Sequence, residues 1–144
     1  MIIEVASEQE TKELGQKIGA LLTGGEVFQL IGDVGAGKTT FVKGLAIGLG
    51  VEDDVQSPSF TISRVYDARD ELSLVHYDFY RLTDPGIMAN ELEEMVHDPK
   101  TVTVIEWADI VEGVLPDNHF TLRLVASTET SRSIEISDKL GALL

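Results

Sequence analysis

The sequence predicts an α/β fold in which one mixed β-sheet is flanked by helices, and three observations favour it. An apolar strand, Val27 to Ile31, leads through a glycine-rich stretch directly into a helix, Lys38 to Leu49. Later stretches alternate apolar and polar residues with the period of two that is typical of β-hairpins. The chain has 144 residues, the size of one ordinary domain, so we expect residues 1–144 to form a single domain.

The elements follow in order from local signals. An apolar run from Met1 to Val5 predicts a first strand. Ser7, with Glu10 three positions later, forms a capping box that predicts the start of a helix, which ends at Gly24 and Gly25. The remaining predicted elements are a hairpin of Ser59–Tyr66 with Leu72–Leu82, a helix over Pro85–Val96, a strand over Thr101–Trp107, and a closing hairpin of Phe120–Ala126 with Ser133–Ser137. Two glycines inside the second helix, Gly44 and Gly48, lower its intrinsic stability, and we expect them to allow close packing on the sheet.

Composition and charge exclude several classes of function. The chain has no cysteine, which excludes disulfide scaffolds, cysteine–zinc sites and thiol catalysis. Eleven basic and twenty-five acidic residues give a net charge of −14, which argues against a wide surface for nucleic acid. The sequence contains neither a long apolar run nor a leader-like amino terminus, so we expect a soluble, cytoplasmic protein with no membrane segment.

The glycine-rich loop, Gly32 to Thr39, carries the strongest functional signal. Its residues read G-x-x-x-x-G-K-T, the phosphate-binding pattern, and it lies between a strand and a helix as that pattern requires. Gly35 and Gly37 let successive N–H groups point at phosphate oxygens. Lys38 adds a positive charge, and the Thr39 hydroxyl can hold Mg²⁺. The fold is therefore predicted to resemble that of P-loop nucleotide hydrolases.

A magnesium–nucleotide site of this kind also needs a carboxylate at the end of a neighbouring strand. Glu106 ends a β-branched run and would emerge at the carboxyl edge of the sheet. Asp78 is the second candidate, since the period of two places it with His76 and Tyr80 on one face of its strand. The spacing leaves the choice between the two carboxylates open.

Four segments in a fixed order give the chain a more specific resemblance. They are GDVGAGKTT, Ser57 to Thr61, His76 to Leu82, and Ile105 to Trp107. Together they resemble the TsaE family (older name YjeE), small bacterial ATPases of tRNA threonylcarbamoyladenosine biosynthesis. The resemblance implies ATP and ADP binding, weak Mg²⁺-dependent hydrolysis, and action with TsaB and TsaD, which modify adenosine 37 of tRNAs reading codons that begin with A. It implies contact with tRNA only through that complex.

The resemblance also implies roles for individual residues. The phosphates would be held by Lys38 and the loop amides (Val34, Gly35, Ala36, Gly37, Lys38, Thr39 and Thr40), and Mg²⁺ by Thr39 and Glu106. Asp78 would support hydrolysis, Trp107 would contact nucleotide or partner, and Asp109 would approach the ligand. Thr11 and Arg132 would contact the base or sugar, and Ser57 to Thr61 would form a switch-like loop. Two departures from the family pattern are Ser59, where threonine is commoner, and the lack of an arginine shortly after Trp107.

Three other functions share the same loop. A small-molecule kinase usually carries an arginine-rich lid, whereas the five arginines here are dispersed along the chain. A GTPase would carry an N-K-x-D segment, and the sequence contains none, so ATP is preferred. A nucleotide-sensing adaptor without a catalytic role is the third alternative.

Overall fold

The computed structural model describes residues 1–56, 62–80, 82, 84 and 86–144, and within them seven strands form one mixed sheet. The strands are β1 (Ile2–Val5), β2 (Val27–Ile31), β3 (Ser63–Asp67), β4 (Ser73–Asp78), β5 (Thr101–Glu106), β6 (Phe120–Ala126) and β7 (Arg132–Ile136). The helices are α1 (Glu8–Leu21), α2 (Lys38–Gly48), α3 (Met88–Val96) and α4 (Asp138–Gly141), with 3₁₀ segments at Arg69–Glu71 and Ala108–Val114.

The sheet has the strand order β1-β7-β6-β2-β5-β4-β3. Its four central strands, β6, β2, β5 and β4, are parallel, whereas β7, β1 and β3 pair antiparallel at the sides. The predicted α/β fold with a mixed sheet and flanking helices is therefore confirmed. Both predicted hairpins are present as β3–β4 and β6–β7, although residues 59–61 and 81 of the first lie outside the described residues.

Two apolar cores lie on opposite faces of the sheet. The first includes Ile18 of α1, Phe41 and Leu45 of α2, and strand residues such as Phe28. The second joins the other face to α3 and the Ala108–Val114 segment, and it contains Val75, Tyr77 and Phe79. Alternation along β4 and into Phe79 thus places these three residues in the second core, as the period of two predicted, while Leu74 on the other face of β4 belongs to the first core.

Four glycines bring α1 and α2 into backbone contact, which corrects the expectation that Gly44 and Gly48 pack on the sheet. An added Cβ would lie 2.0 Å from the Lys12 carbonyl oxygen at Gly44 and 2.2 Å from the Gln16 carbonyl oxygen at Gly48. Gly15 and Gly19 of α1 are equally close to the backbone of α2. The glycines therefore lower helix propensity in exchange for a close helix–helix contact.

The remaining differences from prediction are a helix that begins later than expected and two short helical segments that were not expected. The helix predicted from Pro85 begins at Met88, because Gly86 has a left-handed φ of 54° that a helix cannot include. Neither α4 nor the Ala108–Val114 segment follows from the sequence pattern. The capping box is confirmed, since Ser7 Oγ accepts from the amide of Glu10. No helix in the described ranges combines the length and the apolar character needed to cross a membrane.

Candidate functional site

The predicted site residues meet at the edge of the sheet where the parallel strands end. Leu30 of β2, Glu106 of β5 and Asp78 of β4 occupy one row of the parallel register. The glycine-rich loop leaves β2 at this edge and continues into α2. This is the crevice in which open α/β sheets bind their ligands, and the fold positions both candidate carboxylates beside the loop.

The loop backbone depends on its glycines. Gly35 and Gly37 have φ values of 84° and 104°, in the left-handed region that side chains other than glycine rarely adopt. Ala36 is buried and its amide donates to the Asp33 carbonyl oxygen at 3.0 Å. Gly37 precedes α2 without a side-chain cap, so the first amides of that helix are open to an anion.

Lys38 and Glu106 form a buried ion pair below the loop. The Lys38 Nζ lies 3.6 Å from Glu106 Oε1, and the two side chains are 7% and 4% exposed. The other carboxylate oxygen, Oε2, lies 2.6 Å from Nε2 of His76, which is fully buried on β4. A carboxylate can only accept a hydrogen bond, so we assign the proton of this contact to Nε2. Glu106 is therefore fixed at both of its oxygens.

Trp107 covers the same lysine from the other side. Its backbone is left-handed, with φ 56° and ψ 52°, and its ring centroid lies 4.2 Å from the Lys38 Nζ. This distance is within the range of a cation–π interaction. The ring of Tyr80 lies 4.7 Å from that of Trp107. Trp107 is half-buried, so the indole belongs to the site as well as to the edge of the second core.

Asp78 lies on the same cavity as Lys38 and Glu106. It is buried, and its Oδ1 accepts from the amide of Tyr80 at 2.9 Å. The cavity has a volume of about 110 Å³ and is lined by Val34, Gly35, Lys38, Thr39, Asp78, Tyr80, Glu106 and Trp107. A hydroxyl and two carboxylates are the oxygen donors that Mg²⁺ prefers, and Mg²⁺ usually takes only one or two protein ligands besides phosphate and water. The residues present therefore fit a magnesium ion at this point.

Two further cavities adjoin the loop. The larger has a volume of about 460 Å³ and lies between the loop and the end of β6, with Arg123 and Trp107 on its wall. The smaller, of about 90 Å³, is bordered by Gln29, Lys38 and Asp109. Asp109 is exposed at this rim, close to the lysine, so the structure brings it to the site.

Two of the three threonines predicted at the nucleotide, Thr11 and Thr40, lie in the first turns of α1 and α2, and the third, Thr39, lines the cavity with Asp78 and Glu106. Thr11 is buried and its hydroxyl donates to the Ser7 carbonyl oxygen at 3.4 Å. The Thr40 hydroxyl donates to Glu8 at 3.5 Å, which links the first turns of the two helices. The nucleotide contact of Thr11 stays a prediction.

The Arg132 guanidinium donates to carbonyl oxygens of the glycine-rich loop, so the structure brings it to the loop, while its contact with base or sugar stays a prediction. Ser57 to Thr61 lie outside the described residues.

Sequence reasoning did not identify two residues of the site. The period of two places His76 only on the strand face of Asp78, whereas the structure shows that it also hydrogen-bonds Glu106. Tyr80 was placed only on a strand face, whereas it follows β4 and packs on Trp107. The alternation along the strand groups both residues with Asp78. It does not show that they reach Glu106 and Trp107, because that depends on the pairing of β4 with β5.

The chain is similar to known proteins over most of its length. A family model described as "Threonylcarbamoyl adenosine biosynthesis protein TsaE" matches residues 5–134. The chain belongs to the TsaE family. Its curated TsaE relatives include the tRNA threonylcarbamoyladenosine biosynthesis protein TsaE of Treponema pallidum, which is 39% identical over 132 residues and aligned over 91% of this chain and 96% of its own length.

Other TsaE relatives extend the comparison. The protein of the same name from Bacillus subtilis is 38% identical over 126 residues, or 88% of this chain and 78% of the relative. The Aquifex aeolicus TsaE is 45% identical over 98 residues, 61% of this chain and 73% of its own. The crystal structure of YdiB from Bacillus subtilis superposes with a TM-score of 0.78 and 32% identity, covering 99% of this chain and 90% of that one. The fold of this TsaE family member is thus shared over its whole length.

Proposed function

We propose that this chain binds ATP with Mg²⁺ and hydrolyses it slowly, and that this activity supports threonylcarbamoylation of tRNA. The observation that carries the proposal is the buried Lys38, which begins α2 and faces a cavity lined by Thr39, Asp78 and Glu106. A lysine, a helix amino terminus and paired oxygen donors in one cavity are the parts that phosphoryl transfer requires.

Each residue has a physical task in this proposal. The open amides at the start of α2 donate to phosphate oxygens, and Lys38 neutralises their charge. Thr39 and Glu106 would hold Mg²⁺, which supplies further neutralisation of the phosphate charge when it is bound. Asp78, which is buried and lines the same cavity, would orient the attacking water. Lys38 must then exchange part of its contact with Glu106 for contact with phosphate.

The family membership and the relatives' names support a role in threonylcarbamoyladenosine synthesis. We propose that TsaB- and TsaD-like proteins are the partners, that adenosine 37 of tRNAs reading codons beginning with A is modified, and that this chain does not itself transfer the group. The net charge of −14 supports contact with tRNA only through the complex, because free nucleic acid is repelled at range.

Two experiments test the proposal. ATP turnover is measured with and without purified TsaB- and TsaD-like proteins, with the Lys38→Ala variant as control; we expect weak turnover alone, a higher rate with both partners, and none in the variant. Recovery of the complex by pull-down is compared with ATP, with ADP and without nucleotide, alongside a gel shift with free tRNA. Equal recovery in all three conditions, or tight binding of free tRNA at physiological salt, would contradict the proposed partnership.

A further inference from the structure

Arg132 makes an unusual set of contacts for an arginine beside a phosphate-binding loop. Its guanidinium donates only to backbone carbonyl oxygens among the contacts that the described residues provide. Those acceptors are Ala36 (from Nε, 2.9 Å), Gly35 (from Nη2, 3.3 Å), Ser131 (from Nη1, 2.9 Å), Thr128 (from Nη1, 3.1 Å) and Glu129 (from Nη1, 3.3 Å). One side of the planar fork therefore contacts the glycine-rich loop and the other contacts the turn between β6 and β7.

These contacts fix the orientation of two peptide units in the loop. A peptide is planar and trans, so the N–H of each residue points opposite to the carbonyl of the residue before it. The Ala36 carbonyl faces Arg132, and the N–H of Gly37 therefore points away from Arg132. The contact of the Gly35 carbonyl with Arg132 orients the N–H of Ala36 in the same way. That N–H donates to the Asp33 carbonyl. Arg132 thus orients the loop from behind.

The loop needs such an external contact because of its own sequence. Gly35 and Gly37 flank the two peptide units, and glycine samples both signs of φ readily. A Cβ at Gly35 would meet no atom of the described residues within 4 Å, so the space on that side of the loop is open. The Ala36 N–H is also held by the Asp33 carbonyl, but without Arg132 the peptide between Ala36 and Gly37 could rotate and turn the Gly37 N–H away from an anion.

We propose that Arg132 is a positioning residue that holds the amides of the glycine-rich loop ready for a polyphosphate, rather than a contact to base or sugar. This inference rests on the proposed nucleotide function. The fork geometry of arginine, not its charge, carries the role, because a lysine cannot donate to both loop carbonyls while also contacting the turn.

Binding of two ligands separates this role from a base or sugar contact. Affinities for Mg²⁺–ATP and for tripolyphosphate, which has neither base nor sugar, are measured by calorimetry for wild type, Arg132→Lys and Arg132→Ala. Arg69→Lys is the matched control, because the Arg69 guanidinium also donates to backbone carbonyl oxygens, those of Gly19, Gly48, Ala20 and Leu22, and none of them lies in the glycine-rich loop. We expect both Arg132 variants to bind both ligands about tenfold more weakly, and the control to bind as wild type.

Other outcomes would overturn the inference. If the Arg132 variants lose affinity for ATP but bind tripolyphosphate normally, Arg132 contacts base or sugar. If Arg132→Lys restores wild-type affinity, charge and not geometry is responsible. If wild type itself binds neither ligand, the proposed nucleotide function fails. If wild type binds both ligands and the Arg132 variants bind them equally well, only the positioning role fails.

Amide hydrogen exchange gives a second measurement that needs no ligand. In nucleotide-free protein, we expect the amides of the glycine-rich loop to exchange faster in Arg132→Lys than in wild type or Arg69→Lys, while the amides of β2 and α2 exchange in Arg132→Lys as they do in wild type. Equal exchange of the loop amides in all three proteins would refute the positioning role.

Discussion

Replacing Lys38 by alanine tests the site at its centre. Lys38 is almost fully buried, with its Nζ 3.6 Å from Glu106 and 4.2 Å from the ring centroid of Trp107. The substitution removes a phosphate contact in the nucleotide-bound protein and an ion pair and a cation–π contact in the free protein. Both states therefore change, and the measured loss of affinity is the difference between them.

The magnitude follows from these contacts. A hydrogen bond to a charged group contributes about 1.5–3 kcal/mol, which corresponds to about 10- to 150-fold in affinity. The free protein loses a cation–π contact of about 1 kcal/mol, and this offsets part of the difference. The difference is about 0.5–2 kcal/mol, so we expect ATP binding to weaken by about 2- to 30-fold. We also expect the free energy of unfolding to fall by about 1–3 kcal/mol, because Glu106 keeps only His76 as its buried partner.

Calorimetric titration with Mg²⁺–ATP measures the affinity, and urea unfolding measures the stability. Lys43→Ala is the control, since Lys43 lies in the same helix but borders a different cavity with Glu52 and Asp53. That variant should bind ATP as wild type does. Normal ATP affinity in Lys38→Ala would refute the assignment of the phosphate site.

Three further predictions address the metal, the helix pair and pH. Glu106→Gln should abolish the Mg²⁺ dependence of nucleotide affinity, because an amide is a poorer ligand for a hard cation. Asp78→Asn should retain that dependence. The reverse pattern would make Asp78, and not Glu106, the magnesium ligand. Gly44→Ala should lower the free energy of unfolding by about 1–2 kcal/mol, because overpacking against the α1 backbone exceeds the gain of about 1 kcal/mol in helix propensity. Gly113→Ala, with open space around it, should be neutral or stabilising in the same urea titration. Burial, and secondarily a nearby carboxylate of α3, raises the pKa of Tyr77, so stability should fall as pH rises above about 10, and Tyr77→Phe should lose less stability over that range.

The part of the site that could be predicted is the part encoded by short spacing. The glycine-rich loop carries its strand, turn and helix within one continuous segment, so its chemistry and position followed from sequence. Glu106 is predicted because it ends an apolar strand, and Asp78 because the period of two places it on one strand face with His76 and Tyr80. Their adjacency in the sheet confirms that both reach one edge.

The rest depended on which elements become neighbours. His76 contacts Glu106 only because β4 pairs with β5, and no local pattern reports that pairing. Gly44 was expected against the sheet, whereas the packing of α1 on α2 decides its true partner. Arg132 is ninety-six residues from Ala36, and a contact at that separation leaves no periodic signal.

The partners that Lys38 already has in the free protein affect which anions the site can accept. The ammonium group has a carboxylate and an indole ring as neighbours before any ligand arrives, and two buried acidic side chains lie on the same cavity. A small monovalent anion gains little from a cation that is already neutralised, and it is repelled by the carboxylates. A polyphosphate that arrives with its own divalent cation brings enough charge to reorganise both sets of contacts. The same contacts with Glu106 and Trp107 are therefore expected to make a small monovalent anion such as chloride a poor competitor for the site.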